Sequence, residues 1–211
     1  MREKFPDKIF VTGIGTGVGK TIAAAVLCKA IKANYWKPLQ TGAAIDSDSS
    51  TIKHLLDSET TIYPETYLLQ HPSSPHYAAT LEKIEIDVNK FVLPNTERIV
   101  VEGAGGLLVP VNRKLLMIDL IQHLQLPVVL VVQHYLGDIN HALLSIEALQ
   151  HRNIAITGLI FNSKSFLDNE ETIQHFSKQK TLGHIAESET IHIAWVNEQA
   201  NHLLASLNLQ Q

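Results

Sequence analysis

Ile9-Phe10-Val11-Thr12-Gly13-Ile14-Gly15-Thr16-Gly17-Val18-Gly19-Lys20-Thr21 is the stretch whose reading decides the fold. A short apolar run enters four glycines within seven residues, and Lys20 and Thr21 then open an alanine-rich run that reaches Ala33. Strand, glycine loop and helix in that order form the layout of a phosphate-binding P-loop. Glycines let the backbone take positive φ and bring N–H groups close to an anion. The start of the helix adds a partial charge of about +0.5. Lys20 has the reach to meet β- and γ-phosphates, and the Thr21 hydroxyl is a ligand for Mg²⁺. The spelling departs from the common G-x-x-x-x-G-K-[ST] at one position: Ile14 stands where glycine is expected, between Gly13 and Gly15. A glycine-rich turn without a ligand is the competing reading, and Gly-Lys-Thr opening a helix directly after a strand argues against it.

Outward from the loop, the chain of 211 residues is long enough to bury a substantial core and reads as a single domain over 1–211. Hydrophobic residues make up 45% and the net charge is −4, which gives no attraction for nucleic acid or an anionic membrane surface. Cys28 is the one cysteine, so no internal disulfide forms and a reducing compartment is expected. Its place inside the first helix marks it as a small core residue. The first residues lack the apolar region of a signal peptide, and no apolar run approaches the length of a membrane span, so the expected location is cytoplasmic. Eleven histidines are scattered without metal-binding spacing, and His54, His123 and His151 read as surface or packing residues.

Strand-like and helix-like segments alternate along the chain. This predicts an α/β fold of three layers, a mostly parallel sheet flanked by helices. Strands are expected over 8–12, 35–38, 98–102, 127–132 and 154–161. Residues 127–132 form an unbroken, valine-rich run suited to a central parallel strand. Helices are expected over 22–33, 51–56, 88–92, 115–124, 139–150 and 167–177 and near the C-terminus. The helix over 139–150 lines Ile139, Ala142, Leu143, Ile146 and Leu149 along one face. Residues 58–86, with prolines at 64, 72 and 75, read as an irregular excursion longer than an ordinary connection.

In such sheets ligands bind beyond the carboxyl ends of the strands. Those ends carry the loop 13–20, Lys37, Glu102 with Gly103-Ala104-Gly105-Gly106, Gln133, and Asn162. Glu102, ending a buried strand, occupies the place of a carboxylate that holds Mg²⁺. Lys37 is either a surface lysine at a strand end or a second cation beside the phosphates. Asp46 and Asp48 are candidates for a second Mg²⁺ carboxylate or for a cap on the next helix. Leu136-Gly137-Asp138-Ile139-Asn140 opens a helix whose free N–H groups either bind a carboxylate or are capped by Asp138.

These blocks, in this order, resemble the dethiobiotin synthetases. The loop with Thr16-Gly17-Val18-Gly19-Lys20-Thr21 is similar to that family's P-loop, and Trp36-Lys37-Pro38-Leu39-Gln40-Thr41-Gly42 to its lysine block. Pro72-Ser73-Ser74-Pro75-His76, Val101-Glu102-Gly103-Ala104-Gly105-Gly106, 127–132 with Leu136-Gly137 and Ile139-Asn140-His141, and Gly158-Leu159-Ile160-Phe161-Asn162 continue the resemblance over about 8–162. It departs at Ile14-Gly15, where the family carries Thr-Asp, at Tyr135, at Asp138, and over 185–188, which lacks the family's proline and aromatic residue.

The resemblance implies an ATP- and Mg²⁺-dependent ligase that closes a ureido ring on 7,8-diaminopelargonate with CO₂, giving dethiobiotin, ADP and phosphate. It further implies a homodimer with substrate at the subunit interface. Lys20 and Lys37 would be catalytic. Thr16, Gly17, Val18, Gly19, Lys20, Thr21, Ile22, Asp48, Glu102, Gly103, Ala104, Gly105, Asn162 and Ser163 would bind nucleotide, with Asn162 at the adenine edge. Thr21, Asp48 and Glu102 would hold Mg²⁺, with Asp46 as the alternative aspartate. Thr41 would meet the substrate near its reacting nitrogens, and Gly137, Asp138, Ile139 and Asn140 would receive its distal carboxylate. Two other classes share the architecture. Amidotransferase-type synthetases carry a larger chain or a glutaminase domain. Partitioning-type ATPase switches use a second lysine near the loop's start, and Gly13-Ile14-Gly15-Thr16 has none.

Overall fold

A computed structural model describes residues 5–45, 47–164 and 168–207. The strands in chain order are β1 (Lys8–Gly13), β2 (Asn34–Trp36), β3 (Leu39–Gln40), β4 (Ile62–Tyr63), β5 (Tyr67–Leu68), β6 (Ile99–Gly106), β7 (Val128–Gln133), β8 (Ile156–Asn162) and β9 (Thr181–Ile185). Seven of them form one sheet in the order β4-β2-β6-β1-β7-β8-β9, and β3 and β5 pair separately. Every pairing between these strands is parallel.

Parallel strands buried on both faces need apolar residues at consecutive positions, with alternate side chains entering opposite layers. β7 follows this rule: Val128, Leu130 and Val132 enter one core, while Val129 and Val131 enter the other. In β1, Phe10 points into the first core and Ile9 and Val11 into the second. The second core is closed by α1 (Lys20–Ile31), by α2 (Asp48–Leu55) and, at the end of the chain, by the last helix. The first is closed by residues of α3 (Pro75–Leu81), α4 (Met117–Leu124), α5 (Asp138–His151) and α6 (Asn169–Ser177). The last helix, α7 (Ile193–Leu207), packs on α1 and β9.

The expected three-layer, mostly parallel architecture is therefore present, with corrections at several elements. β6 does not end at Glu102 but continues through its glycines to Gly106. Its pairing with β1 jumps from Val11↔Glu102 to Gly13↔Gly106, so extra residues bulge out of β6 directly after Glu102. A bulge of this kind re-aims a side chain at a site. α2 starts at Asp48 rather than at 51. The stretch 58–86 is more regular than its prolines suggest. It holds β4, β5 and α3, with Pro75 in the first helical turn, where its missing N–H costs no bond. The helix expected over 88–92 is a 3₁₀ turn, Val88–Lys90. β9 is an additional strand that the hydrophobic pattern alone does not single out. Asp46 and Leu167 lie outside the described residues.

Candidate active site

β1 delivers the glycine loop to the carboxyl edge of the sheet. Gly13 has no room for a side chain, since a Cβ there would sit 2.4 Å from Val18 Cγ2. Gly17 and Gly19 adopt φ of 75° and 86°. α1 begins at Lys20 with no side-chain cap and no acidic residue in its first turn. Its first N–H groups are thus offered to an anion at the positive end of the helix. The two residues that depart from the usual spelling have separate tasks. Ile14 is half-buried and packs against both cores. The Gly15 carbonyl accepts a hydrogen bond from Lys20 Nζ at 2.8 Å, which parks the ammonium inside the loop. Burial lowers the Lys20 pKa to about 8; Glu102 and Asp48 pull it upward and Lys37 pushes it down, without reversing the effect of burial.

The second half of the site comes from β2 and β6. Tyr35 and Val100 both enter the core beneath α1. By the period of two, Lys37 and Glu102 follow on that same side. Glu102 is 1% exposed. Its Oε2 accepts from the Tyr35 hydroxyl at 2.7 Å, and its Oε1 accepts from Lys37 Nζ at 3.1 Å. Lys37 Nζ also donates to the Gly103 carbonyl at 3.2 Å and pairs with Asp48 Oδ2 at 2.7 Å. Burial by itself would pull the Lys37 pKa down, but Glu102 and Asp48 outweigh it and leave the ammonium above the ordinary lysine value. For Asp48, burial acts upward and the Lys37 charge overrides it, holding the carboxyl below its ordinary value. Burial, reinforced by Glu102, pushes the Tyr35 phenol well upward, so it serves as a hydrogen-bond donor.

Three oxygens converge on one point. Thr21 Oγ1 lies 2.8 Å from Asp48 Oδ1 and 2.9 Å from Glu102 Oε1. A hydroxyl has a single hydrogen, so it satisfies one carboxylate and leaves the other oxygen contact without a proton. One hydroxyl and two carboxylate oxygens at this separation fit a hard divalent cation, which favours oxygen donors and completes its shell with phosphate and water. The donor set therefore suits Mg²⁺.

Asn162, at the end of β8, sits against the loop. Its Nδ2 donates to the Val18 carbonyl at 3.0 Å, and a Cβ on Gly19 would come within 2.1 Å of that same nitrogen. Ser163 follows at φ 75°, with its N–H donated to the Ile185 carbonyl at 3.3 Å. Thr16 is exposed at the loop's tip near Gly105, and Ile22 packs into the α1 side of the core. Ala104 is buried in β6. Thr41 is half-buried after β3, and its carbonyl takes Gln40 Nε2 at 2.6 Å.

Residues 137–140 stand apart from the ionic cluster. Gly137 caps α5 at φ 110°. The Asp138 N–H is already donated to the Tyr135 carbonyl at 3.0 Å. The Asp138 carboxylate is fully buried, with His134 Nδ1 at one oxygen and Asn169 Nδ2 donating to the other. An apolar groove lined by Ile14, Gly15, Leu108, His141 and Leu144 links this helix to the glycine loop.

Two participants were not singled out in the sequence. Tyr35 was legible in principle, because it lies two residues before Lys37 and so shares its face. Gln40 was not. Its Oε1 accepts the Asp48 N–H at 3.1 Å and thereby docks the start of α2 onto the lysine block, a contact between segments with no fixed spacing. Cys28 is fully buried, and burial raises its thiol pKa, in keeping with a packing role. His54, His123 and His151 are exposed.

The family AAA_26, described as an AAA domain, matches residues 7–192. The ATP-dependent dethiobiotin synthetase BioD of Christiangramia forsetii is 44% identical over 184 residues, covering 86% of this chain and 88% of that protein. The BioD of Lawsonia intracellularis is 42% identical over 184 residues, covering 87% and 90%. Among solved structures, a ParA family ATPase from Chlorobium tepidum superposes with a TM-score of 0.60 at 10% identity, covering 96% of this chain and 100% of that one. The MinC:MinD cell division complex of Aquifex aeolicus gives a TM-score of 0.57 at 16% identity, covering 96% and 94%. At such identities these two likenesses concern the fold alone.

Proposed function

The chain belongs to the ATP-dependent dethiobiotin synthetases, ligases that form C–N bonds in biotin biosynthesis, and on that premise we propose that the cluster of Lys20, Thr21, Lys37, Asp48 and Glu102 is its phosphoryl-transfer centre. The observation that carries this reading is Lys37. A lysine 2% exposed is held against two carboxylates beside a phosphate-binding loop. Such a group stabilises charge that develops during a reaction.

In the proposed reaction one amine of 7,8-diaminopelargonate takes up CO₂ as a carbamate. The γ-phosphoryl group of ATP passes to a carbamate oxygen. The second amine then attacks the carbonyl carbon of the mixed anhydride, the new C–N bond forms, and the C–O bond to phosphate breaks. The amides of 16–22 cradle the phosphates. Lys20 leaves its resting acceptor, the Gly15 carbonyl, for the β- and γ-oxygens. Lys37 offsets charge on the carbamate and the transferring group. Gly103, Ala104 and Gly105 line the approach, Thr41 contacts the substrate near its reacting nitrogens, and Asn162 and Ser163 border the adenine. Mg²⁺, held by Thr21, Asp48 and Glu102, would neutralise phosphate charge. The free edge of α5 at 137–140 takes the distal carboxylate of the substrate bound to a partner subunit.

The homodimer in this reading is supported by exposed apolar side chains beside the site. Leu108 and Leu144, 57% and 56% exposed, form walls of the groove next to the glycine loop, and Leu136 is 91% exposed at the approach to α5. Among the described residues no helix is long and apolar enough to cross a membrane; a cytoplasmic location is part of the proposal. Residues 1–211 are taken as a single P-loop synthetase domain. Purified protein supplied with diaminopelargonate, bicarbonate, Mg²⁺ and ATP is expected to release phosphate only when diaminopelargonate is present. Phosphate release indifferent to that amine overturns the reading.

A further inference from the structure

Outside the phosphoryl-transfer centre, a group of titratable side chains gathers behind the start of α5 around a buried histidine. His134 follows β7, and its side chain is 1% exposed. Its Nδ1 lies 2.7 Å from Asp138 Oδ2 and its Nε2 3.1 Å from Glu170 Oε1. The second oxygen of Asp138 accepts from Asn169 Nδ2 at 2.6 Å. The second oxygen of Glu170 contacts Nε2 of the exposed His184. Phe161 lies between the two imidazoles, stacked on His134 at 5.2 Å and on His184 at 5.8 Å. Asp138 of α5, Glu170 of α6 and Phe161 of β8 thus meet one ring, with Asn169 and His184 joined to it through the two carboxylates.

Asp138 opens the helix whose first amides take an anionic end of the substrate in the proposed function. A carboxylate at that position would repel such an anion and forfeit part of the helix's attraction for it. Here the carboxylate is fully buried, which is tolerable only when it is paired and hydrogen-bonded. An imidazole with a carboxylate oxygen at each nitrogen satisfies both contacts as a donor when both nitrogens carry hydrogen. We infer that His134 is held as an imidazolium between Asp138 and Glu170, and that as a positioning residue it neutralises Asp138 and locks the start of α5 so that the helix end accepts the substrate's carboxylate. His134 does not itself touch substrate. The inference rests on the proposed placement of that carboxylate at 137–140.

The test combines a spectroscopic and a kinetic readout. In ¹⁵N-labelled protein at pH 7, two-bond ¹H–¹⁵N spectra, assigned with His134→Gln, are expected to show both His134 nitrogens protonated. His134→Gln keeps a donor toward one carboxylate and loses the charge. It is expected to raise KM for diaminopelargonate about tenfold, while kcat and KM for ATP stay within about twofold. Adding Asp138→Asn to that variant removes the uncompensated carboxylate and is expected to recover most of the lost affinity. Glu170→Gln, which keeps the packing, is a second single variant for which the same KM-only effect, of smaller size, is expected. A neutral-imidazole spectrum for His134 overturns the inference. So does a change in thermal stability with KM unmoved, or an equal loss toward both substrates. If wild-type turnover ignores diaminopelargonate, the functional reading itself has failed, an outcome visible before any variant is made.

Discussion

Lys20 and Lys37 occupy one site and are tuned in opposite directions, because a buried ammonium is governed by the balance of desolvation and neighbouring charge. Lys20 faces a carbonyl and sits near 8, so the free protein loses this proton as pH rises through that value. ATP phosphates favour the charged form. Binding ATP at pH 8 should therefore take up about half a proton, and affinity should fall as pH rises from 7 to 9. Calorimetry in buffers of different ionisation enthalpy measures that uptake. The sign for folding is the reverse of a salt bridge's: burial of the charged lysine weighs on stability below about 8, and the burden is relieved toward 10.5. Lys37, held charged by Glu102 and Asp48, is expected to behave differently. Lys37→Ala should lower turnover on the order of 10²–10³ while most ATP affinity survives, because the lost interaction acts on developing charge. Near-normal turnover in single-turnover assays would remove Lys37 from its assigned role. Gly19→Ala places a Cβ 2.1 Å from Asn162 Nδ2 at φ 86°, so it should cost about 1–3 kcal/mol of stability and abolish nucleotide binding; urea titration and a fluorescent-nucleotide assay check the two effects.

The elements explain why several residues converge without any fixed spacing between them. β6 places Val100 and Glu102 on the α1 side by simple alternation, and the bulge after Glu102 lets its glycines pass under the loop. Gly106 lies beside the loop, where a Cβ would stand at ordinary contact distance, 3.6 Å, from Gly15 Cα. Glu102→Gln keeps the shape and the Tyr35 contact but removes a charge from the proposed cation site. The Mg²⁺ concentration for half-maximal turnover should rise about tenfold or more, which a metal titration of turnover reads directly. At the far side of the sheet, Gly158 holds β8 close to β9. A Cβ there would meet Leu182 Cγ at 2.7 Å and the Lys180 carbonyl oxygen at 2.8 Å. Gly158→Ala should destabilise by about 1–3 kcal/mol through overpacking, seen as a lower urea midpoint. The backbone oxygen cannot yield as a side chain would.

At the scale of the molecule, the groove beside the glycine loop and the start of α5 predict assembly. Sedimentation of the wild-type protein should give twice the chain mass. Leu144→Glu, which puts a charge on the exposed apolar wall, should shift it toward the monomer and depress turnover with the fold intact by circular dichroism. The sequence by itself determined five strands of the main sheet, most of the helices, the glycine loop and most of the residues that meet there. Each of those signals is local: glycines before Lys20-Thr21, an unbroken valine run in β7, alternation in β6. Asp138 marks the limit of that legibility. From sequence it was either a cap or part of a helix end open to a carboxylate, and it proved to be a buried partner of His134 and Asn169. Only the tertiary structure decided that, together with the docking of Asp48 by Gln40, the clasp of Tyr35 on Glu102 and the addition of β9 at the sheet's edge. Each depends on the distance between segments remote in the chain, which the packing of two layers of helices on one twisted sheet fixes and a pattern of neighbours along the sequence does not.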